Sequence, residues 1–103
     1  MIVPVMTKYG YARVSTVEQS LDLQIKALED AGCHKIYYDE GMSGARDDRP
    51  GLNAVLGILQ EGDVLVTWRL DRLGRSIRHL IDTITDLKDR GVAFQSLNDA
   101  IDT

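Results

Sequence analysis

Along the 103-residue chain the hydrophobic positions follow two alternating rhythms. "YGYARV", Tyr9 to Val14, joins aromatic and β-branched residues in the manner of a strand, and the segment after it changes to helical spacing. There Leu21, Ile25 and Leu28 form one apolar stripe ending before Gly32, which predicts a helix over roughly 17–31. Thr16 with Gln19, or Ser15 with Glu18, has the spacing of a capping box at its start. "KIYYD" reads as a second strand. Pro50 suits the first turn of a second helix, with Leu52, Val55, Leu56 and Leu59 as its buried face and Gly62 as its end. "DVLVTW" is a nearly unbroken apolar run, the pattern of a central parallel strand covered on both faces. From Ser76 the residues Ile77, Leu80, Ile81, Ile84 and Leu87 repeat at helical spacing up to Gly91, and "VAFQSL" supplies a last strand. All of these apolar stripes are expected in the core.

The order β-α-β-α-β-α-β predicts a three-layer α/β/α domain whose mainly parallel sheet is joined by right-handed crossovers. The length suits one domain with one core. "EGMSGARDDRPG", rich in glycine and charge, reads as an exposed loop. No apolar run is long enough to cross a bilayer. Residues 1–7 read as a short N-terminal extension, with Met6 as an alternative start, because they lack the basic leader and cleavage site of a secretory signal. A lone Cys33, accompanied only by His34 and His79, offers neither an intramolecular disulfide nor a structural metal site, and these three are taken as incidental. A cytoplasmic setting is expected.

A formal charge of −4 and a pI near 5.0 argue against a domain that grips nucleic acid through bulk electrostatics. Phosphate recognition would have to be local, and the arginines are distributed for that. They gather at Arg13, at Arg46 with Arg49, and in "TWRLDRLGRSIRH", where Arg69, Arg72, Arg75 and Arg78 recur every third position. In open α/β sheets ligands bind beyond the carboxyl ends of the strands, at the switch point beside the first strand. The first strand ends in "ARVS" and the third runs into "LDRLGR", so Arg13, Ser15, Asp71, Arg72 and Arg75 are expected at one edge. Arg13 and Ser15, two apart, would share a face of the strand. Guanidinium forks can each hold two phosphate oxygens and stay charged when partly desolvated. Two such cations about 7 Å apart repel by about 2 kcal/mol at an effective dielectric of about 20, so a converging cluster is poorly explained by stability alone. The chemistry open to this set is phosphoryl transfer to a serine activated by neighbouring arginines, with no metal or cofactor required.

"YARVST", "SGARDDRPGL" and "WRLDRLGRS", in that order and at these separations, resemble the catalytic domain of the resolvase/invertase family of serine recombinases, nearest in pattern to bacterial DNA invertases. The resemblance runs from Tyr9 to Thr103 and implies a catalytic domain over residues 8–103. The sheet order it implies is 2-1-3-4, with an antiparallel fifth strand at the edge. It further implies a site-specific recombinase in which Ser15 attacks a DNA phosphodiester, leaving a 5′-phosphoserine link and a free 3′-hydroxyl before strand exchange and religation. In this reading Arg13, Arg72 and Arg75 bind the scissile phosphate and Arg49 adds a contact. Asp71 orients an arginine or assists proton transfer, while Gln24 and Arg46 give support. Double-stranded DNA at specific recombination sites is the implied partner, with dimers pairing into a tetramer, in a bacterial cytoplasm and on the nucleoid when DNA is bound. Two departures stand out. Ile58 occupies a position where the family commonly carries a basic residue, and the chain stops before the family's long dimerisation helix and helix-turn-helix, so that alone it is expected to be inactive.

Plainer readings compete at several positions. Ser15 alone would be taken for a helix cap. Arg69 and Arg78 read as solvated surface residues, and Trp68 as core or sheet-edge packing. Gly74 favours a turn rather than helix around Arg72 and Arg75. From other functional classes come a regulatory α/β module that holds a phosphorylated ligand without chemistry, whose affinity would survive Ser15→Ala, and a metal-dependent nuclease, which a chelator would inhibit.

Overall fold

The computed structural model describes residues 7–14, 21–40, 50–69, 77–98 and 101–102. Five strands, β1 (Lys8–Val14), β2 (Lys35–Glu40), β3 (Val64–Thr67), β4 (Ala93–Ser96) and β5 (Ile101–Asp102), form one sheet in the order β2-β1-β3-β4-β5. The first four are parallel, and β5 runs antiparallel to β4. Three helices connect them: α1 (Leu21–Asp30), α2 (Pro50–Ile58) and α3 (Ile77–Asp89). The expected order 2-1-3-4 and the antiparallel fifth strand are both present. No described helix is long and apolar enough to cross a membrane.

α1 packs on one face of the sheet and α2 with α3 on the other. Ala12, Leu28, Val64 and Val66 pack together on the α1 side. Tyr11, Leu65 and Phe94 meet Leu52, Val55, Leu59 and Leu87 on the opposite side. All four residues of β3 are buried, as its continuous apolar run requires of a strand covered on both faces.

One apolar stripe needs correcting. Ile77 and Ile81 are 77% and 57% exposed, although periodicity placed them in the core. The buried face of α3 runs through Leu80, Thr83, Ile84 and Leu87. At about 100° per residue Ile81 falls roughly 110° from the centre of that face, and Ile77 stands in the first turn.

At the N-terminal edge of the parallel strands the chain closes backbone on backbone. Gly62 N–H donates to the Gly91 carbonyl (2.9 Å), Val64 N–H to Thr7 (2.9 Å) and Ala93 N–H to Asp63 (3.0 Å). Gly62 holds φ at 93°, a left-handed conformation that suits glycine, in the turn before β3; α2 itself ends earlier, at Ile58, and not at Gly62 as the sequence suggested. Arg90 reaches across from the end of α3 to the Leu59 carbonyl at 2.7 Å and pairs with Asp86 at 3.6 Å.

Candidate active site

The opposite edge is built differently. β1 and β3 are parallel neighbours, with Tyr11 level with Thr67, so the carboxyl ends of both strands open onto the same side of the sheet. Ser15 follows the last residue of β1 in the chain, Arg49 precedes the first residue of α2, and 71–75 lie between β3 and α3. Arg13 and Gln24 are the two expected site residues that the structure describes. Ser15, Arg46, Arg49, Asp71, Arg72 and Arg75 lie outside the described residues, as do the capping box and Gly74.

Polar side chains are buried at this edge. Among the described strand residues, those buried and polar are Asp39, Thr67 and Ser96, each at or next to the carboxyl end of its strand. Burying such groups is costly unless they are hydrogen-bonded, so each has to be matched to a partner. Thr67 Oγ1 donates to the Tyr11 carbonyl at 3.2 Å, tying β3 to β1 by a side chain.

Gln24 is fully buried on α1 and addresses the backbone of Arg13 from both ends of its amide. Its Oε1 accepts from Arg13 N–H at 3.2 Å and its Nε2 donates to the Arg13 carbonyl at 3.0 Å. The last turn of strand before Ser15 is thereby fixed to α1. Gln24 therefore acts on the site through the main chain of Arg13. In β1 the alternation of faces puts Arg13 with Tyr11 on the α2 side, and Arg13 is level with Asp39 of β2.

Asp39 is a residue that sequence reasoning did not single out. Its carboxylate accepts from Tyr11 Oη at 2.6 Å, from Gly51 N–H at 2.8 Å and from Leu52 N–H at 3.1 Å. A helix leaves its first N–H groups without internal partners, and with Pro50 as first residue the capping position falls to Arg49, whose side chain is no acceptor. Asp39 supplies the cap from the neighbouring strand, and its negative charge also matches the positive end of the helix dipole. The approach is close enough that a Cβ on Gly51 would collide with the Tyr38 carbonyl. Hence Gly51 is required where α2 meets β2, two residues after Arg49 in the sequence. The signal available in the sequence was that deficient cap together with an acidic residue at a strand end.

Trp68 is half-buried, in keeping with packing at the sheet edge, and Arg69 lies exposed with its guanidinium carbon 5.7 Å from the centre of the indole ring. Cys33 follows α1 and packs against the cluster on the α1 side of the sheet, where burial pushes its thiol up to about 11 against a smaller opposing effect of Lys8. Such a thiol is poorly nucleophilic. Ile58, the last residue of α2, is exposed.

Comparison with known proteins agrees with this architecture. The family described as "Resolvase, N terminal domain" matches residues 8–103. The "Serine recombinase gin" of Escherichia phage Mu is 56% identical over 94 residues, covering 91% of this chain and 48% of that protein. "DNA-invertase hin" of Salmonella typhimurium is 49% identical over 98 residues, covering 95% of this chain and 51% of that one. The chain thus spans about half the length of these curated relatives. The crystal structure of a resolvase family site-specific recombinase from Streptococcus pneumoniae superimposes with a TM-score of 0.80 at 24% identity, over 96% of this chain and 76% of that one, a likeness of fold. The parallel order of the sheet, the shared edge of β1 and β3 and the match over almost the whole chain lead to one conclusion: this protein belongs to the resolvase N-terminal domain family.

Proposed function

We propose that residues 8–103 form the catalytic domain of a site-specific DNA recombinase in which Ser15 is the nucleophile. Ser15 Oγ forms a bond to the scissile phosphorus as the bond to the 3′-oxygen breaks. The serine proton is lost, the leaving 3′-oxygen takes up a proton, and the DNA 5′ end remains joined to the protein as a phosphoserine ester. Reversal of these steps by a 3′-hydroxyl of the exchanged strand rejoins the DNA, and because bond energy is conserved no nucleotide cofactor enters. Arg13, Arg72 and Arg75 stabilise charge on the non-bridging oxygens, with Arg49 as a further contact and Arg46 in support. Asp71 orients an arginine or serves the leaving oxygen. Gln24 holds the main chain of Arg13, and Asp39 holds the start of α2 next to Arg49.

The single observation that carries this reading is the parallel pairing of β1 with β3. It sends the strand that leads to Ser15 and the strand that leads to Asp71, Arg72 and Arg75 out of one edge. The substrate in this reading is double-stranded DNA at a specific recombination site, with dimers pairing into a tetramer, in the cytoplasm and on the nucleoid when DNA is bound.

The test is cleavage of a nicked recombination site by full-length protein, with and without a chelator. The proposal expects strand cleavage that persists in the chelator and disappears in Ser15→Ala, while DNA binding survives. Cleavage that stops with chelation would point to a metal-dependent nuclease. Binding of a phosphorylated ligand by wild type and Ser15→Ala alike, without cleavage by either, would point to a regulatory module.

A further inference from the structure

We infer that Arg69 is a DNA-backbone contact beside the catalytic edge, held ready by Trp68. This inference rests on the reading of DNA as the substrate, and it changes Arg69 from a solvated surface residue into part of the binding face.

The segment that leaves β3 is secured on both sides. Thr67 Oγ1 lies within hydrogen-bonding distance of the Tyr11 and Arg69 carbonyls, at 3.2 and 3.3 Å. The Trp68 carbonyl accepts from both the backbone N–H of Asn98, at 3.0 Å, and its Nδ2, at 2.9 Å. Trp68 is therefore anchored through its main chain and half-buried, and the Arg69 guanidinium lies over its ring. A cation over an aromatic ring uses the electron-rich ring face, and the in-plane N–H fork of arginine remains available for oxygens.

Lys26 pairs with Asp30, Arg90 pairs with Asp86 and bonds to the Leu59 carbonyl, and Lys8 Nζ bonds to the Ala31 carbonyl. Arg69 shares with Lys35, Arg78 and Lys88 the lack of a carboxylate partner among the described residues. Of these four Arg69 and Lys35 also lie over an aromatic ring, and of those two Arg69 stands at the carboxyl end of its strand and Lys35 at the start of its own. An exposed cation with a restrained side chain stands at the carboxyl end of β3, two residues before Asp71, in a chain of net charge −4. Its ordering cost is partly met before any ligand arrives, as a preorganised phosphate contact requires.

Trp68 is the chain's one tryptophan, so its emission reports on this position alone. The experiment titrates the chain with a short DNA duplex, following Trp68 emission and duplex anisotropy over a range of salt concentrations. Wild type is compared with Arg69→Ala and with Lys88→Ala, which removes an exposed cation from the last turn of α3. Wild type should bind with a saturable change in emission. Arg69→Ala should lose that change and lower the slope of log affinity against log salt by about 0.9, the value for one phosphate contact, while Lys88→Ala keeps both. Equal melting curves for the three proteins exclude a loss of fold as the cause. Binding by Arg69→Ala with the wild-type slope and emission change would overturn the inference and leave the DNA reading standing, as would an equal loss in Lys88→Ala. Absence of any binding by wild type at low salt would also overturn this inference, whereas the DNA reading is decided separately by the cleavage test with full-length protein.

Discussion

The two ends of the parallel strands are held by different means. At the N-terminal edge the chain is closed by backbone hydrogen bonds and a glycine turn, joined by side chains that are exposed or half-buried: Arg90 on the Leu59 carbonyl, Lys8 on the Ala31 carbonyl, Asp63 on Gln60 N–H and His34 on Lys8 N–H. At the carboxyl edge the backbone is held by buried side chains: Gln24 on Arg13, Asp39 on Tyr11 and the start of α2, and Thr67 on Tyr11. Backbone closure needs little from side-chain identity and serves stability. Side-chain clamps specify where particular residues stand, and they lie at the edge that leads to Ser15 and residues 71–75. The difference teaches that stability and positioning are separated along the strand axis. Perturbing one end should chiefly move melting, and perturbing the other should move activity as well.

The largest effect on both is expected at Asp39. Asp39→Ala removes the acceptor for one hydroxyl and two helix N–H groups, a loss of about 3 kcal/mol for donors left without partners. In a domain of this size that lowers the melting temperature by about 15 °C, read by thermal denaturation. Strand cleavage should fall as well, because the start of α2 next to Arg49 is released. Gln24→Leu sharpens the comparison. It keeps the volume but removes both hydrogen bonds from Gln24 to the Arg13 backbone, and cleavage should drop about a hundredfold if displacement of catalytic groups by about 1 Å follows. Its melting should shift less than that of Asp39→Ala. At the other edge Arg90→Ala should lower the melting temperature by about 5 °C, the equivalent of about 1 kcal/mol, and leave the cleavage rate unchanged. A cleavage defect in Arg90→Ala matching that of Gln24→Leu would break the division between the two ends.

The smallest effect concerns Cys33. With its thiol raised from 9.0 to about 11, the folded protein keeps the proton between these values while the unfolded chain releases it. The burial of the neutral thiol therefore favours folding fully below pH 9, and this contribution fades as pH rises from 9 to 11. Alkylation at pH 8 should be about a hundredfold slower in the folded protein than in denaturant, since the thiolate is the reacting species.

Much of this fold was legible because apolar spacing is a local property. Strand-length runs such as "DVLVTW" and stripes such as Leu52, Val55, Leu56 and Leu59 identify their elements within a few residues of sequence. Periodicity says less about how far a stripe extends around the helix, which is why Ile77 and Ile81 were expected inside and stand outside. The positioning residues were the hardest to read. The partners of Asp39 lie 28, 12 and 13 residues away and those of Gln24 lie 11 away, so their roles exist only once the strands are paired. Arg13, Ser15, Asp71, Arg72 and Arg75 stand out as candidates because they follow or close strand-like runs and fall within the ordered motifs that carry the resemblance, and of these only Arg13 is among the described residues.

The central claim is that Ser15 becomes covalently joined to DNA. It is tested most directly by stopping the reaction on a nicked site, digesting the protein, and locating the nucleotide-bearing peptide by mass spectrometry. The account predicts a 5′-phosphoryl nucleotide on the Oγ of Ser15 in the peptide that contains "VST". An adduct on any other residue, or cleaved DNA with a free 5′-phosphate and no adduct at any time, would contradict it.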